Sequence, residues 1–297
     1  MPGAGGPVRG RTLVATMVTL CGLGAATACG GAQQPEASLG AASPVGAASA
    51  ERAAEAPAGS AAAAGGAEAT SATATRVKQP LKGKVVVIDP GHNGHNYKRP
   101  DYINRQVDVL TKKKACDTTG TATNDGYAEA AFTFDVATRM KKALEKAGAT
   151  VKLTRPNNTG VGPCITERAA IGNRAKADAA LSIHADGAGP SAHGFHVIIP
   201  KKINGPVDPV VEKSKRLGID IRDAIRKGTD LPYSTYIGKQ GLDYRNDLGG
   251  LNLSTVPKVF VECGNMRNAS DAAKFKNPKF RQRLAEALAQ GVENYLT

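Results

Sequence analysis

Large apolar side chains are scarce in the first eighty residues of this 297-residue chain, and that scarcity excludes a folded core there. One globular domain, from about residue 80 to Thr297, is the expected count. Acidic residues are also in short supply, with 26 Asp and Glu facing 39 Lys and Arg. Five basic and four acidic residues precede residue 80, which leaves the domain 34 against 22 and a charge of about +12. That surplus favours polyanionic partners such as nucleic acid, anionic lipid or an anionic wall polymer. It does not choose among them, and a domain merely kept dispersed by its charge is the competing reading. The sequence also has no His-Glu-x-x-His pattern, so a metal site would have to draw on residues far apart in the chain.

The N-terminus narrows the choice of partner. Arg9 and Arg11 precede an apolar stretch, Leu13 to Ala28, that falls short of the ~20 residues a spanning helix needs and ends in Ala26-Thr27-Ala28. Residues 1–28 therefore read as a secretory signal peptide. Cys29-Gly30-Gly31 resembles the cleavage box of bacterial lipoproteins, which makes Cys29 the candidate lipidation site and the outer face of the cytoplasmic membrane the expected location. Simple secretion is the alternative, because Ala26 stands where that box usually has Leu. Export argues against nucleic acid. Residues 29–79 are dominated by Ala, Gly and Ser, a composition that buries too little apolar area to offset ordering entropy. They are expected to form a disordered tether with an r.m.s. span of about 40 Å; a processed spacer with no role is the bland reading.

From Leu81 onward strand-like and helix-like segments alternate, the pattern of a single α/β domain with a mainly parallel sheet and helices on both faces. The β-branched run Lys84 to Ile88, stopped by Asp89-Pro90-Gly91, predicts a buried strand, and Thr150–Thr154, Ala179–Ile183, Lys258–Val261 and Gly194–Ile199 predict further strands. A helix is expected from about Tyr127 to Ala147, capped by Asn124 or Asp125, with Ala130, Phe134, Ala137, Met140 and Leu144 inward. Two more should open at Asp208-Pro209 and Asn277-Pro278. The polar stretches 92–126 and 229–253 are too long for simple connections and are expected to be functional loops.

In an open α/β sheet, ligands bind beyond the carboxyl ends of the strands. Three side chains able to hold a metal follow predicted strands there: His92, His184 and Glu262. Glu129, in the first turn of the long helix, is a fourth. Two imidazoles, a carboxylate and an open position describe a catalytic zinc site, and a second carboxylate can take the proton from water. Each residue alone reads equally as a capping or hydrogen-bonding group; their joint occurrence carries the metal reading.

The motifs Ile88-Asp89-Pro90-Gly91-His92, Glu129 at a helix start, Ser182-Ile183-His184-Ala185-Asp186 and Val261 to Asn268 together resemble the zinc-dependent, type-three N-acetylmuramoyl-L-alanine amidases throughout residues 84–297. The likeness extends to single-domain mycobacterial members through Gly194-Phe195-His196-Val197 and Gly250-Leu251-Asn252-Leu253. It implies a sheet of about six strands, one Zn2+ held by His92, Glu129 and His184, and Glu262 acting on water. It also implies a peptidoglycan substrate and a role in wall remodelling and daughter-cell separation. Glu129 departs from many relatives, since Ala130 and Ala131 follow it in place of Lys and Asn. A non-catalytic wall-binding lipoprotein on the same fold and a zinc peptidoglycan peptidase are the competing functions. No separate wall-binding repeat is present, and a monomer is expected.

Among the remaining candidates, Cys116 and Cys164 occupy positions joined by a disulfide in the mycobacterial relatives, and the resemblance implies the same bond here. Cys263 is expected to be a core thiol on the opposite side of its strand from Glu262. His196 either lines the cleft or packs as a strand residue, and His95 and His193 read as loop residues. Glu167-Arg168 reads as an internal ion pair, or as a group that positions substrate carboxylates. The 92–126 loop and the Asp243–Asn252 segment are expected to shape the subsites.

Overall fold

The computed structural model describes residues 78–297. The expected signal peptide, Cys29 and all but the last residues of the tether lie outside the described residues. β1 (Val85–Pro90) forms from the β-branched run and is followed by a polar excursion with a short helix, α1 (Pro100–Ile103), and a hairpin of β2 (Gln106–Asp108) and β3 (Lys113–Ala115). Then come α2 (Glu129–Lys146), β4 (Thr150–Leu153), α3 (Ile165–Arg174), β5 (Ala179–Asp186), β6 (His196–Pro200), α4 (Val211–Gly228) and β7 (Leu242–Arg245). The remaining elements are α5 (Gly249–Asn252), β8 (Lys258–Asn265), α6 (Ala269–Lys276) and α7 (Pro278–Leu296). Among the described residues no helix is long and apolar enough to cross a membrane.

Six strands form one sheet in the order β4-β1-β5-β8-β6-β7, parallel except where β6 meets β8. The architecture is the mainly parallel α/β sheet that the alternation of segments predicts. Strand alternation divides the side chains cleanly between its faces. Val86, Ile88, Leu181, Ile183, Val259, Val261 and Cys263 pack into the large core with Met140 and Leu144 of α2, Leu217 and Ile221 of α4, and Leu284 and Leu288 of α7. The opposite face carries Val87 and Ala180 under α3. It also carries Asp89, Ser182, His184, Phe260 and Glu262.

Several details depart from what the sequence predicts. β7 lies inside a stretch expected to be a loop: only four residues long and at a sheet edge, it exists through its pairing with β6. α2 begins at Glu129 with Ala128 as its N-cap, and neither Asn124 nor Asp125 caps it. Asp125 instead accepts from Thr123 and pairs with Lys276. Ala130, Ala137, Met140 and Leu144 are inward as expected, but the buried aromatic is Phe132, while Phe134 lies under the Arg155 guanidinium, 4.8 Å from Cζ to ring centroid. Helices α1, α3, α5 and α6 and the β2–β3 hairpin were not foreseen. α6 is nevertheless locally specified, since the Asn268 side chain accepts from the backbone N–H of Ser270 and Asp271.

Candidate metal centre

β1 ends in a turn that presents His92, which adopts φ = 56°, an uncommon conformation outside glycine. Arg168 from α3 holds this turn by donating to the carbonyls of Pro90 at 2.8 Å and His92 at 2.9 Å. His184 leaves β5 with its ring stacked on Phe260 at 4.1 Å. The His184 ring also lies flat against Gly91, where a Cβ would fall 2.2 to 2.5 Å from three ring atoms. That contact explains why the turn needs glycine.

Glu129 sits between the two histidines. Its Oε1 is 2.9 Å from His184 Nδ1 and its Oε2 is 3.2 Å from His92 Nε2. Backbone N–H groups of Ala185 and Thr121 donate to the same oxygens, at 3.2 and 2.9 Å, and fix the carboxylate's orientation. One donor atom from each of His92, Glu129 and His184 lies within 4.8 Å of the others. Gly120 closes over this group: a Cβ there would sit 2.7 Å from His92 Cδ2 and 2.8 Å from Glu129 Oε2.

Burial opposes protonation of His92, but Glu129 and Asp117 outweigh it and push its pKa up to about 10. Burial holds His184 below its ordinary value. Glu129, despite a burial that favours its neutral form, is held well below the usual carboxylate range by the two imidazoles. The three donors thus make a pocket that draws in positive charge, and a divalent cation fits it on chemistry as well as spacing.

Behind His92 runs a chain of buried charges. His92 Nδ1 meets Asp117 Oδ1 at 3.1 Å, and Asp117 Oδ2 accepts from Arg168 at 3.0 Å. Arg168 then reaches Asp89 Oδ1 at 3.0 Å, and Lys258 Nζ lies 3.0 Å from Asp89 Oδ2. Arg168 is therefore an internal ion-pairing residue, but its partners are Asp89 and Asp117, while Glu167 pairs with Arg174 on the surface. Neither Asp117 nor Lys258 was singled out from sequence. The available signal was the presence of Asp89 and Lys258 in otherwise apolar strands, where an unpaired charge is prohibitive.

Sheet register places Glu262 on β8 directly beside His184 on β5. Glu262 Oε2 is enclosed without a hydrogen-bond partner. Burial, with Glu129 and Asp186 nearby, pushes this carboxyl well above the usual range, so it readily carries a proton. A cavity of about 150 Å3 opens next to His92 and His184, between Phe260, Ile165 and the Leu248–Gly250 turn. The 92–126 and 229–253 stretches meet along it: Asn252 Nδ2 donates to Val109 O and Asn246 O, both at 2.8 Å, and locks the β2–β3 hairpin in place. His95 and His193 lie in loops outside the cluster, and His196 is fully buried on β6. Cys116, Cys164 and Cys263 are all buried free thiols; the first two lie close enough to perturb each other's titration, whereas Cys263 belongs to the core.

Residues 86–294 match the family model described as N-acetylmuramoyl-L-alanine amidase. The N-acetylmuramoyl-L-alanine amidase Rv3717 of Mycobacterium tuberculosis is 39% identical over 230 residues, covering 76% of this chain and 91% of that protein. The crystal structure of the Mycobacterium smegmatis amidase Ami1 superposes with a TM-score of 0.69 at 40% identity, over 73% of this chain and 98% of that one. Apo Ami1 from Mycobacterium abscessus gives 0.68 at 43% identity, over 73% of this chain and all of that one (100%).

Proposed function

The chain belongs to the N-acetylmuramoyl-L-alanine amidase family, and from that premise we propose that it is a zinc hydrolase that cuts the amide between muramic acid and L-alanine in peptidoglycan. The observation that carries the reading is the convergence of His92, Glu129 and His184 beside Glu262. His92 Nε2, one Glu129 oxygen and His184 Nδ1 would hold the ion. Zinc bound there supplies a lowered pKa for water and polarisation of the substrate carbonyl. Glu262 takes the proton from the attacking water and passes it to the departing amine. Asp117 fixes the His92 ring through Nδ1, and Phe260 and Gly91 fix the plane of His184.

The test is digestion of purified peptidoglycan with and without a chelator. Intact glycan strands and free peptides beginning with L-alanine should appear, and chelation should abolish them. Cleavage inside the stem peptide would replace this reading with a peptidase. Wall binding without any turnover would replace it with a docking protein.

Residues 1–28 serve as export signal, Cys29 as the lipid anchor, 29–79 as the tether and 80–297 as the catalytic domain, placing a monomeric enzyme in the envelope for wall remodelling and daughter-cell separation. In that oxidising compartment Cys116 and Cys164, already neighbours, form a disulfide that ties the β2–β3 excursion to the start of α3. Such a bond typically contributes about 2 to 4 kcal/mol. Thiol titration of the mature protein under denaturing, non-reducing conditions should find one thiol, that of Cys263; three thiols would eliminate the bond.

A further inference from the structure

The row of side chains set by the sheet does not stop at Glu262. His196 opens β6 directly opposite Glu262 in the antiparallel ladder, so both project from the same face with Cβ atoms about 5 Å apart. Consecutive strands β5, β8 and β6 thus present His184, Glu262 and His196 in that order.

His196 is 1% exposed, and its Nδ1 is enclosed with no hydrogen-bond partner. Among the described residues no protein group hydrogen-bonds its Nε2 either. The ring is nevertheless held firmly: Tyr236 meets it edge-on with centroids 6.0 Å apart, and the Tyr236 hydroxyl donates to Asp186 Oδ2 at 3.0 Å. Burial keeps the imidazole below its ordinary pKa, so at neutral pH it is uncharged and offers one donor and one acceptor. A buried ring with Nδ1 enclosed and unpartnered and Nε2 free of any protein partner, next to the residue that handles the proton, is the mark of a group completed by a ligand.

The order of the row fixes which part of the substrate that ligand is. Glu262 delivers its proton to the amine, so the leaving peptide departs on the Glu262 side of the metal residues. Strands are spaced about 4.8 Å apart, and an extended peptide advances about 3.3 to 3.6 Å per residue. The atoms above His196 are then those of the peptide group after the first stem residue. We propose that His196 is a substrate-binding residue whose imidazole hydrogen-bonds the peptide group joining the first and second residues of the stem, so that the peptide runs across β8 towards β6 and the glycan lies on the metal side. This rests on the amidase reading above.

The test compares His196→Phe, which keeps a ring and removes both hydrogen-bonding atoms, with His196→Gln, which keeps a donor and an acceptor. On a soluble muramoyl peptide with at least two stem residues, His196→Phe should raise KM about tenfold while kcat falls less than about threefold, and His196→Gln should recover most of the loss. On muramoyl-L-alanine, which lacks that peptide group, the two variants should have the same KM. Calorimetric titration of the longer substrate in a Glu262→Gln background should show binding about tenfold weaker once His196→Phe is added. An unchanged KM overturns the proposal, as does a fall in kcat alone. So does an equal loss of activity and thermal stability in both variants, which would mark a packing role. If the parent protein releases no peptide, the amidase reading falls while the calorimetric comparison still decides His196.

Discussion

Glu262→Gln should cut hydrolysis of peptidoglycan by about 10²- to 10⁴-fold, the usual contribution of a positioned proton carrier, while leaving bound metal and the unfolding midpoint close to those of the parent. The amide has nearly the volume of the carboxyl group, and Glu262 Oε2 has no partner in the protein to lose. Packing and folding therefore change little. What disappears is the ability to accept a proton in a setting where burial, Glu129 and Asp186 make the carboxyl unusually willing to hold one. His92→Ala is the necessary contrast: it removes a donor of the trio and should lose metal together with activity, by metal analysis of the purified protein. Full activity in Glu262→Gln would reassign the proton step to another residue.

The parts of this site that were legible in sequence share a physical reason. β1, β5 and β8 are buried on both faces and so carry continuous apolar runs, and a polar residue just past such a run stands out. His92, His184 and Glu262 were visible for that reason, and Glu129 because it lies at the head of the long amphipathic helix. What the sequence hid depends on partners distant in the chain. β7, Leu242 to Arg245, alternates too briefly to register and owes its existence to β6. Asp117 sits in a loop without periodicity, and only the fold brings it to His92 and Arg168. His196 left two readings open because a strand histidine looks the same whether its nitrogens are satisfied or not. Its register opposite Glu262 and its unpartnered Nδ1 appear only in the fold.

The charges behind His92 carry the largest stability prediction. Asp89 is 3% exposed and accepts four hydrogen bonds: Thr154 Oγ1 at 2.7 Å and Arg168 at 3.0 Å on Oδ1, Ser182 Oγ at 2.6 Å and Lys258 Nζ at 3.0 Å on Oδ2. Burial alone would raise its pKa, but Lys258, Arg168 and the two hydroxyls hold it well below the usual carboxylate range. Asp89→Asn turns an NH2 towards one set of donors and leaves the buried Lys258 without its carboxylate partner. Breaking a buried pair from one side costs about 3 to 5 kcal/mol, to be read as a lower urea midpoint at unchanged slope. Arg174→Ala, in the exposed pair with Glu167, should cost less than about 1 kcal/mol in the same assay. The sign of the pH dependence follows from the depressed pKa. The carboxylate's stabilisation is present above its unfolded value of about 4 and is lost as pH falls through the lower folded value, so the parent should weaken below about pH 4 more steeply than Asp89→Asn. Because Arg168 links Asp89 to the Pro90 and His92 carbonyls and to Asp117, the variant should also bind metal more weakly, by chelator competition. A stability loss under about 1 kcal/mol would mean that Lys258 and Arg168 find other partners, and that the turn bearing His92 is held by the backbone alone.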